Sequence, residues 1–407
     1  MSTTLKTHLK LFILLFTVTA LITACSDDDN GGNGGPQLTG NSETYNLVSV
    51  SDPAVSGTVE FAERDDGVTV VTIDLNGTAA GGDHPAHIHA NTAAEAGGII
   101  IDFENVDGAT GMSTTEVSQR NDGTPVSYND LINFDGYVNV HLSAADLATL
   151  IAQGDIGQNA LTGNTEEYTL LSRSDPNISG TATFAEREND ETLVTIQLQG
   201  TTDGGDHPSH IHANSAVAGG SIVVDFTNVN GATGISRTNV SQLNDGTPIT
   251  YTELLDYNGY VNVHLSPSEL STLIAQGDIG QNELTENSVD YPLASVSDPA
   301  ISGTATFAER KSGFTLITIQ LDGTTAGGDH PSHIHANDAA TGGGIVLSFN
   351  NVNGETGQSV NHVTMLDDGT EITYEGLLDY NGYINVHLSP ADLATLIAQG
   401  NIGSNAN

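Results

Sequence analysis

Residues 260–265 read Tyr-Val-Asn-Val-His-Leu, and the pattern of this stretch indicates the fold class. Its side chains alternate between apolar and polar, and in a β-strand such alternation places the two kinds on opposite faces. Val261 and Val263 would therefore face a core, whereas Asn262 and His264 would share the other face. A strand with one apolar face is typical of an antiparallel sandwich or barrel.

The segments around this stretch extend the same pattern. Residues 193–198 (Leu-Val-Thr-Ile-Gln-Leu) alternate in the same way, and turn signals such as 244–246 (Asn-Asp-Gly) separate the predicted strands. After residue 265, Ser266-Pro267-Ser268-Glu269 resembles the start of a capped helix that Gly277 would end. We therefore predict an all-β domain with one short helix there and equivalent helices at Ser143–Gln153 and Ser389–Gln399.

This pattern occurs three times along the chain. Four histidines recur at a step of 123 residues, which is the size of a domain rather than of a solenoid repeat. The sequence thus predicts domains at 40–162, 163–285 and 286–407, joined by short polar junctions. Twelve of the 14 histidines occupy these positions, namely His84, His87, His89, His141, His207, His210, His212, His264, His330, His333, His335 and His387.

The beginning of the chain resembles a bacterial lipoprotein leader. Residues 1–24 carry two lysines before an apolar run, and Ile22-Thr23-Ala24-Cys25 resembles a lipobox, in which Cys25 becomes lipidated. Residues 25–39 then form an acidic and Gly-rich tether. We predict a signal peptide at 1–24 and an outer-membrane, surface-exposed lipoprotein held to the membrane through Cys25. The alternative is a free thiol that happens to follow a leader.

The charge of the chain narrows the choice of partners. The formal net charge is −42, from 9 Lys+Arg and 51 Asp+Glu. Such a surface repels nucleic acid and favours cations or cationic partners, so we expect no nucleic-acid partner. The charge could also serve only to keep an exported protein soluble.

Several blocks resemble a known family, the CHRD domain, first described in chordin and common in bacterial exported proteins. They are residues 180–184 (Gly-Thr-Ala-Thr-Phe), 210–212 (His-Ile-His), 260–264 and 277–281 (Gly-Asp-Ile-Gly-Gln), with counterparts in all three copies. The resemblance implies an immunoglobulin-like β-barrel similar to that of copper/zinc superoxide dismutases, and it implies no assigned activity. The chain departs from the family in its predicted helix and in a closing motif that lacks the usual arginine.

The positions of the histidines predict a metal site in each copy. His210 and His212 share one face of a strand, and a neighbouring strand at 260–265 would add His264 to the same patch. His207, in the preceding turn, can reach it. Because the apolar side chains must face the core, we expect these histidines on the outer face of the sheet.

Neutral imidazole is a natural ligand of zinc and copper, so we predict one copper or zinc ion per domain. The alternative is a set of histidines that only hydrogen-bond one another and the surrounding loops. Residues that could hold the imidazole tautomers are Asp83, Asn139, Asp206, Asn262, Asp329 and Asn385.

Three functions remain compatible with these features. The first is a non-catalytic binding or adhesion module for an extracellular protein or glycan, and the second is a copper-dependent, superoxide-dismutase-like redox enzyme. The third is a purely structural array. A single cysteine excludes an internal disulfide, Arg64, Arg187 and Arg310 are far in sequence from the histidines, and the acidic surface repels superoxide. We therefore expect the first.

Overall fold

The structure is a computed structural model that describes residues 35–406. The predicted signal peptide, Cys25 and the tether up to residue 34 lie outside the described residues. Within the described part, no helix combines the length and the apolar character needed to cross a membrane.

The chain forms three ten-stranded antiparallel sheets, one in each predicted copy, which confirms the all-β tandem architecture. The first sheet contains β1 (Leu38–Ser49), β2 (Ser56–Arg64), β3 (Thr69–Asn76), β4 (Asp83–His84), β5 (Ala86–Ala90), β6 (Ile99–Asp102), β7 (Val106–Asp107), β8 (Met112–Val117), β9 (Asp135–Ser143) and β10 (Asp146–Gly157). The second contains β11 (Leu161–Ser172), β12 (Ser179–Arg187), β13 (Thr192–Gln199), β14 (Asp206–His207), β15 (Ser209–Ala213), β16 (Ile222–Asp225), β17 (Val229–Asn230), β18 (Ile235–Val240), β19 (Asn258–His264) and β20 (Leu273–Gly280). The third contains β21 (Leu284–Ser295), β22 (Ser302–Arg310), β23 (Thr315–Asp322), β24 (Asp329–His330), β25 (Ser332–Ala336), β26 (Ile345–Ser348), β27 (Val352–Asn353), β28 (Gln358–Val363), β29 (Asn381–Ser389) and β30 (Asp392–Gly403). We call these units domains 1, 2 and 3.

Each sheet curls around its own core. In domain 1 the strand order is β4-β7-β8-β3-β2-β1-β10-β9-β5-β6. Strand β1 pairs with β2 along most of its length and with β10 at Val48 and Ser49, so that it belongs to both halves of the sheet. Phe61 and Ile73 from one half and Val138 from the other lie fully buried in one apolar cluster. The curl therefore encloses the apolar faces that the alternation predicts.

The junctions between domains are short. The predicted boundaries after residues 162 and 285 fall inside β11 and β21, the first strands of domains 2 and 3. Only residues 158–160 separate β10 from β11, and residues 281–283 separate β20 from β21. Successive domains are thus connected by a tight turn.

The helix predicted after His264 is wrong. The segment forms a turn followed by β20, and the equivalent segments form β10 and β30. A β-bulge in the pairing of β19 with β20 lets the consecutive residues Ile274 and Ala275 both lie in the core. A bulge breaks the strict two-residue alternation of a strand. The spacing of Leu270, Leu273 and Ile274 therefore resembles that of a helix without forming one.

Each domain has a short helix elsewhere, before the strand that carries the fourth histidine. These helices are α1 (Tyr128–Ile132), α2 (Tyr251–Leu255) and α3 (Tyr374–Leu378). Ser127 caps α1, and the Asp130 side chain accepts a hydrogen bond from the Ser127 backbone in return. Thr250 and Glu253 form the same capping box on α2. This Ser/Thr-x-x-Asp/Glu signal is visible in the sequence, although these helices were not among those predicted.

Candidate metal centre

Strand pairing brings three histidines of domain 1 together. Strand β5 lies beside β9, with His87 opposite Asn139 and His89 opposite Tyr137. His141 follows on β9, and one ring nitrogen from each of the three histidines lies within 4.8 Å of the other two. Domains 2 and 3 repeat the arrangement. We call each set of three a triad: His87, His89 and His141; His210, His212 and His264; His333, His335 and His387.

The triads lie on the face opposite the core, as expected, but that face is not open to solvent. His89 is only 8% exposed and His141 only 7%. Segments on both sides contact them, because His89 bonds to Gly97 in the β5–β6 connection and His141 bonds to Leu147 just after the β9–β10 turn. The histidines therefore lie on the predicted face, but that face is covered, because these connections fold over it.

The same contacts fix the protonation of two imidazoles. His89 Nδ1 lies 2.9 Å from the Gly97 carbonyl oxygen, and His141 Nδ1 lies 2.7 Å from that of Leu147. A carbonyl oxygen can only accept, so Nδ1 must carry the proton and the lone pair of the neutral ring lies on Nε2. The equivalent bonds occur in domains 2 and 3. Two histidines of each triad thus present Nε2.

A stacked tyrosine sets the plane of the second histidine. The ring of His89 lies 4.9 Å from that of Tyr137, at an interplanar angle of 18°. The Tyr137 hydroxyl accepts a hydrogen bond from the Gly97 amide, in the same segment that holds His89 Nδ1. The stack recurs with Tyr260 and with Tyr383. Strand register therefore provides both the ligand and the ring that orients it.

The first histidine of each triad presents its other nitrogen. His87 Nε2 points towards Asp102, with 3.7 Å between Nε2 and Oδ1, and His87 Nδ1 is buried without a hydrogen-bond partner among the described residues. His89 Nε2 and His141 Nε2 are likewise buried without partners there. Buried polar atoms are normally satisfied. In domain 1, three converging lone pairs without a donor are what a metal ion would satisfy, so the residues present there fit such an ion.

Burial favours the neutral form of the first and third histidines of each triad. It lowers the pKa of His87 and of His141, and the neighbouring histidines lower both further. The same causes lower the pKa of His210, His264, His333 and His387. Neutral imidazole is the form that binds a metal, so these two histidines of each triad remain able to bind below the usual histidine pKa.

Three predicted ligands lie outside the triads. His84 Nδ1 bonds to the Leu142 carbonyl oxygen at 2.8 Å, and its Nε2 faces the backbone of Gly82, where a Cβ would lie 2.3 Å from it. His207 and His330 are held in the same way. These histidines tie β4, β14 and β24 to the end of the strand that carries the third triad member, so they act as structural links.

The predicted tautomer-holding residues divide into two groups. Asp83 and Asp329 are exposed and accept from Asn105 and Asn351 rather than from an imidazole, and Asp206 is also exposed. The Asn262 and Asn385 amides approach His212 Nε2 and His335 Nε2 at 3.4 and 3.5 Å. Asn139 accepts a bond from Gln153 beside the first triad. Backbone carbonyls hold the tautomers instead, and no sequence motif marks a backbone carbonyl.

The third site differs from the other two. Asp102 and Asp225 approach His87 and His210 at 3.7 and 3.6 Å, but the equivalent residue in domain 3 is Ser348. The Ser348 hydroxyl donates to Asp367, whereas the Asn244 amide donates to Asp225 in domain 2. In domain 3 the carboxylate therefore belongs to Asp367, which contacts Ser348, and not to the residue beside His333.

Comparisons of the chain with protein-family models, with curated proteins and with solved structures found no match.

Proposed function

We propose that each domain binds one divalent transition metal ion, zinc or copper(II), through its triad, which gives three ions per chain. The observation that carries this proposal is the convergence of unpartnered nitrogens on His87, His89 and His141. Three imidazoles form the protein part of an open zinc site and also suit copper(II). Each ion would keep at least one position for water or for an atom of a partner.

We further propose that the protein is a non-catalytic binding lipoprotein of the CHRD type, anchored through Cys25 at the cell surface. The support is the leader with its lipobox, the three CHRD-like copies and the strongly acidic surface.

Metal analysis of two matched variants tests the first proposal. His210→Ala removes a triad member, whereas His207→Ala removes a nearby buried histidine that lies outside the triad. After loading with zinc and dialysis, elemental analysis should find one ion fewer per chain in His210→Ala and an unchanged number in His207→Ala. Equal metal content in the two variants, or no bound metal in the unaltered protein, would overturn the proposal.

A further inference from the structure

Successive domains meet through one buried arginine. Arg187, at the end of β12 in domain 2, donates from Nη1 to Asp155 Oδ2 of domain 1 at 2.8 Å and also to the Asn159 carbonyl oxygen. Arg310 of domain 3 makes the same contacts with domain 2, at 2.9 Å to Asp278 Oδ2 and to the Asn282 carbonyl. Both arginines are 0% exposed.

A buried guanidinium requires its partners in place, because an uncompensated buried charge is strongly destabilising. Each arginine uses a single nitrogen, Nη1, for both the carboxylate and the backbone carbonyl of the preceding domain. Each junction is therefore held in one orientation by a charge from one domain and a carboxylate from the other.

The equivalent arginine of domain 1 is paired differently. Arg64 bonds to Asp66 at 2.8 Å and to Glu116 at 2.5 Å, both within its own domain. The residues that correspond to this acidic pair are uncharged in domain 2, where they are Asn189 and Asn239. In domain 3 they are Ser312 and His362. The acidic pair is therefore missing in domains 2 and 3, whose arginines reach the preceding domain, and it is present in domain 1.

The opposite face of domain 3 is altered as well. The position of Asp155 and Asp278 is occupied by Asn401. All three side chains accept a backbone bond through Oδ1, from Ala93, Ala216 and Ala339 respectively. The second oxygen of the aspartates accepts the arginine, whereas Asn401 has an NH₂ group there. An amide N–H cannot accept a bond from a guanidinium.

We infer that these positions determine which domain faces can join. At each internal junction, an arginine without a local acidic pair faces a carboxylate of the preceding domain and locks the junction, and both outer faces are closed to a second copy of the chain. The outer face of domain 1 is closed by Asp66 and Glu116, and that of domain 3 is closed by Asn401.

Transferring the end residues into an internal junction tests the inference. The variant carries three substitutions in the full chain: Asp278→Asn, Ser312→Asp and His362→Glu. They give the second junction the residues found at the two outer faces, and the new acidic pair would keep Arg310 paired within its own domain. Spin labels at the exposed, equivalent positions 54, 177 and 300 report the two interdomain distances. We expect narrow 54–177 and 177–300 distance distributions in the unaltered chain, and broadening of the 177–300 distribution alone in the triple variant.

Two results would overturn the inference. One is a 177–300 distribution that stays narrow in the triple variant, and the other is two broad distributions in the unaltered chain. Asp278→Asn alone provides a second, milder variant, which should broaden the same distribution. Asp66→Asn with Glu116→Asn is the matched control in domain 1 and should leave both distributions unchanged.

Discussion

At the scale of single residues, the candidate site depends on which nitrogen each imidazole presents. Gly97 and Leu147 carbonyls hold the protons of His89 and His141 on Nδ1, so that Nε2 faces the site. His87 faces it with Nδ1, since its Nε2 points to Asp102. The sequence predicted the histidines and their convergence, because both follow from alternation in paired strands. It could not predict the tautomers, because these depend on backbone carbonyls in connections whose path only the structure shows.

The exchange of Asp225 for Ser348 predicts that the third site is the weakest. A carboxylate near a metal-bound histidine raises the basicity of the ligand. Because Asp102 and Asp225 are exposed and lie 3.7 and 3.6 Å from the ring nitrogens, we expect their loss to cost no more than about 10-fold in metal affinity, the lower end of the range for hydrogen-bonded partners. Competition titration with a zinc chelator should therefore resolve two tighter sites and one weaker site.

Domain 2 provides the matched repair of that site. Ser348→Asp with Asp367→Asn recreates the Asp225–Asn244 pair and should make the three sites alike. Three sites of equal affinity in the unaltered chain would argue against this role for the carboxylate, although they would leave metal binding itself intact.

At the scale of elements, the paired strands β5 and β9 carry and position the triad of domain 1. Their register places His89 against Tyr137 and leaves Ile88 and Val138 in the core. Alternation was sufficient to predict these strands. It failed at β20, where a bulge puts Ile274 and Ala275 on the same side, because a bulged strand and a short amphipathic helix share similar apolar spacing.

At the scale of the whole molecule, three equivalent domains are joined by buried ion pairs that no local motif indicates. Arg187 and Asp155 are 32 residues apart, and only the tight turn between domains brings them together. In the sequence these arginines stand out only by their distance from the histidines. The residues that differ at the two outer faces, Asp66, Glu116 and Asn401, can be interpreted only when the contacts of the internal junctions are known.

The second junction also predicts a pH dependence of stability. Burial, together with the nearby charge of Arg310, lowers the pKa of His362 to about 4, although Asp278 opposes the shift. The unfolded chain therefore takes up a proton near pH 6.5 that the folded domain resists. Stability is complete above pH 6.5 and declines as the pH falls towards 4.

We expect His362 to account for about 1–2 kcal/mol of the decline in the free energy of unfolding. The figure is lower than for a fully buried ring because the His362 side chain is partly exposed to water. His362→Asn, which introduces the residue found at 239, should reduce the decline by this amount in urea unfolding of the metal-free protein. Part of the decline should remain, because the triad histidines also have lowered pKa values. Identical pH profiles for the variant and the unaltered protein would contradict the assignment.

The most direct test of the central claim is an anomalous-scattering map from crystals of the zinc- or copper-loaded chain. We expect one peak per domain, about 2.0–2.1 Å from the ligating nitrogens if the ion is zinc. In domain 1 these nitrogens should be His87 Nδ1, His89 Nε2 and His141 Nε2, with the equivalent atoms in domains 2 and 3. Peaks confined to surface carboxylates, or triads without a peak at full metal loading, would contradict it.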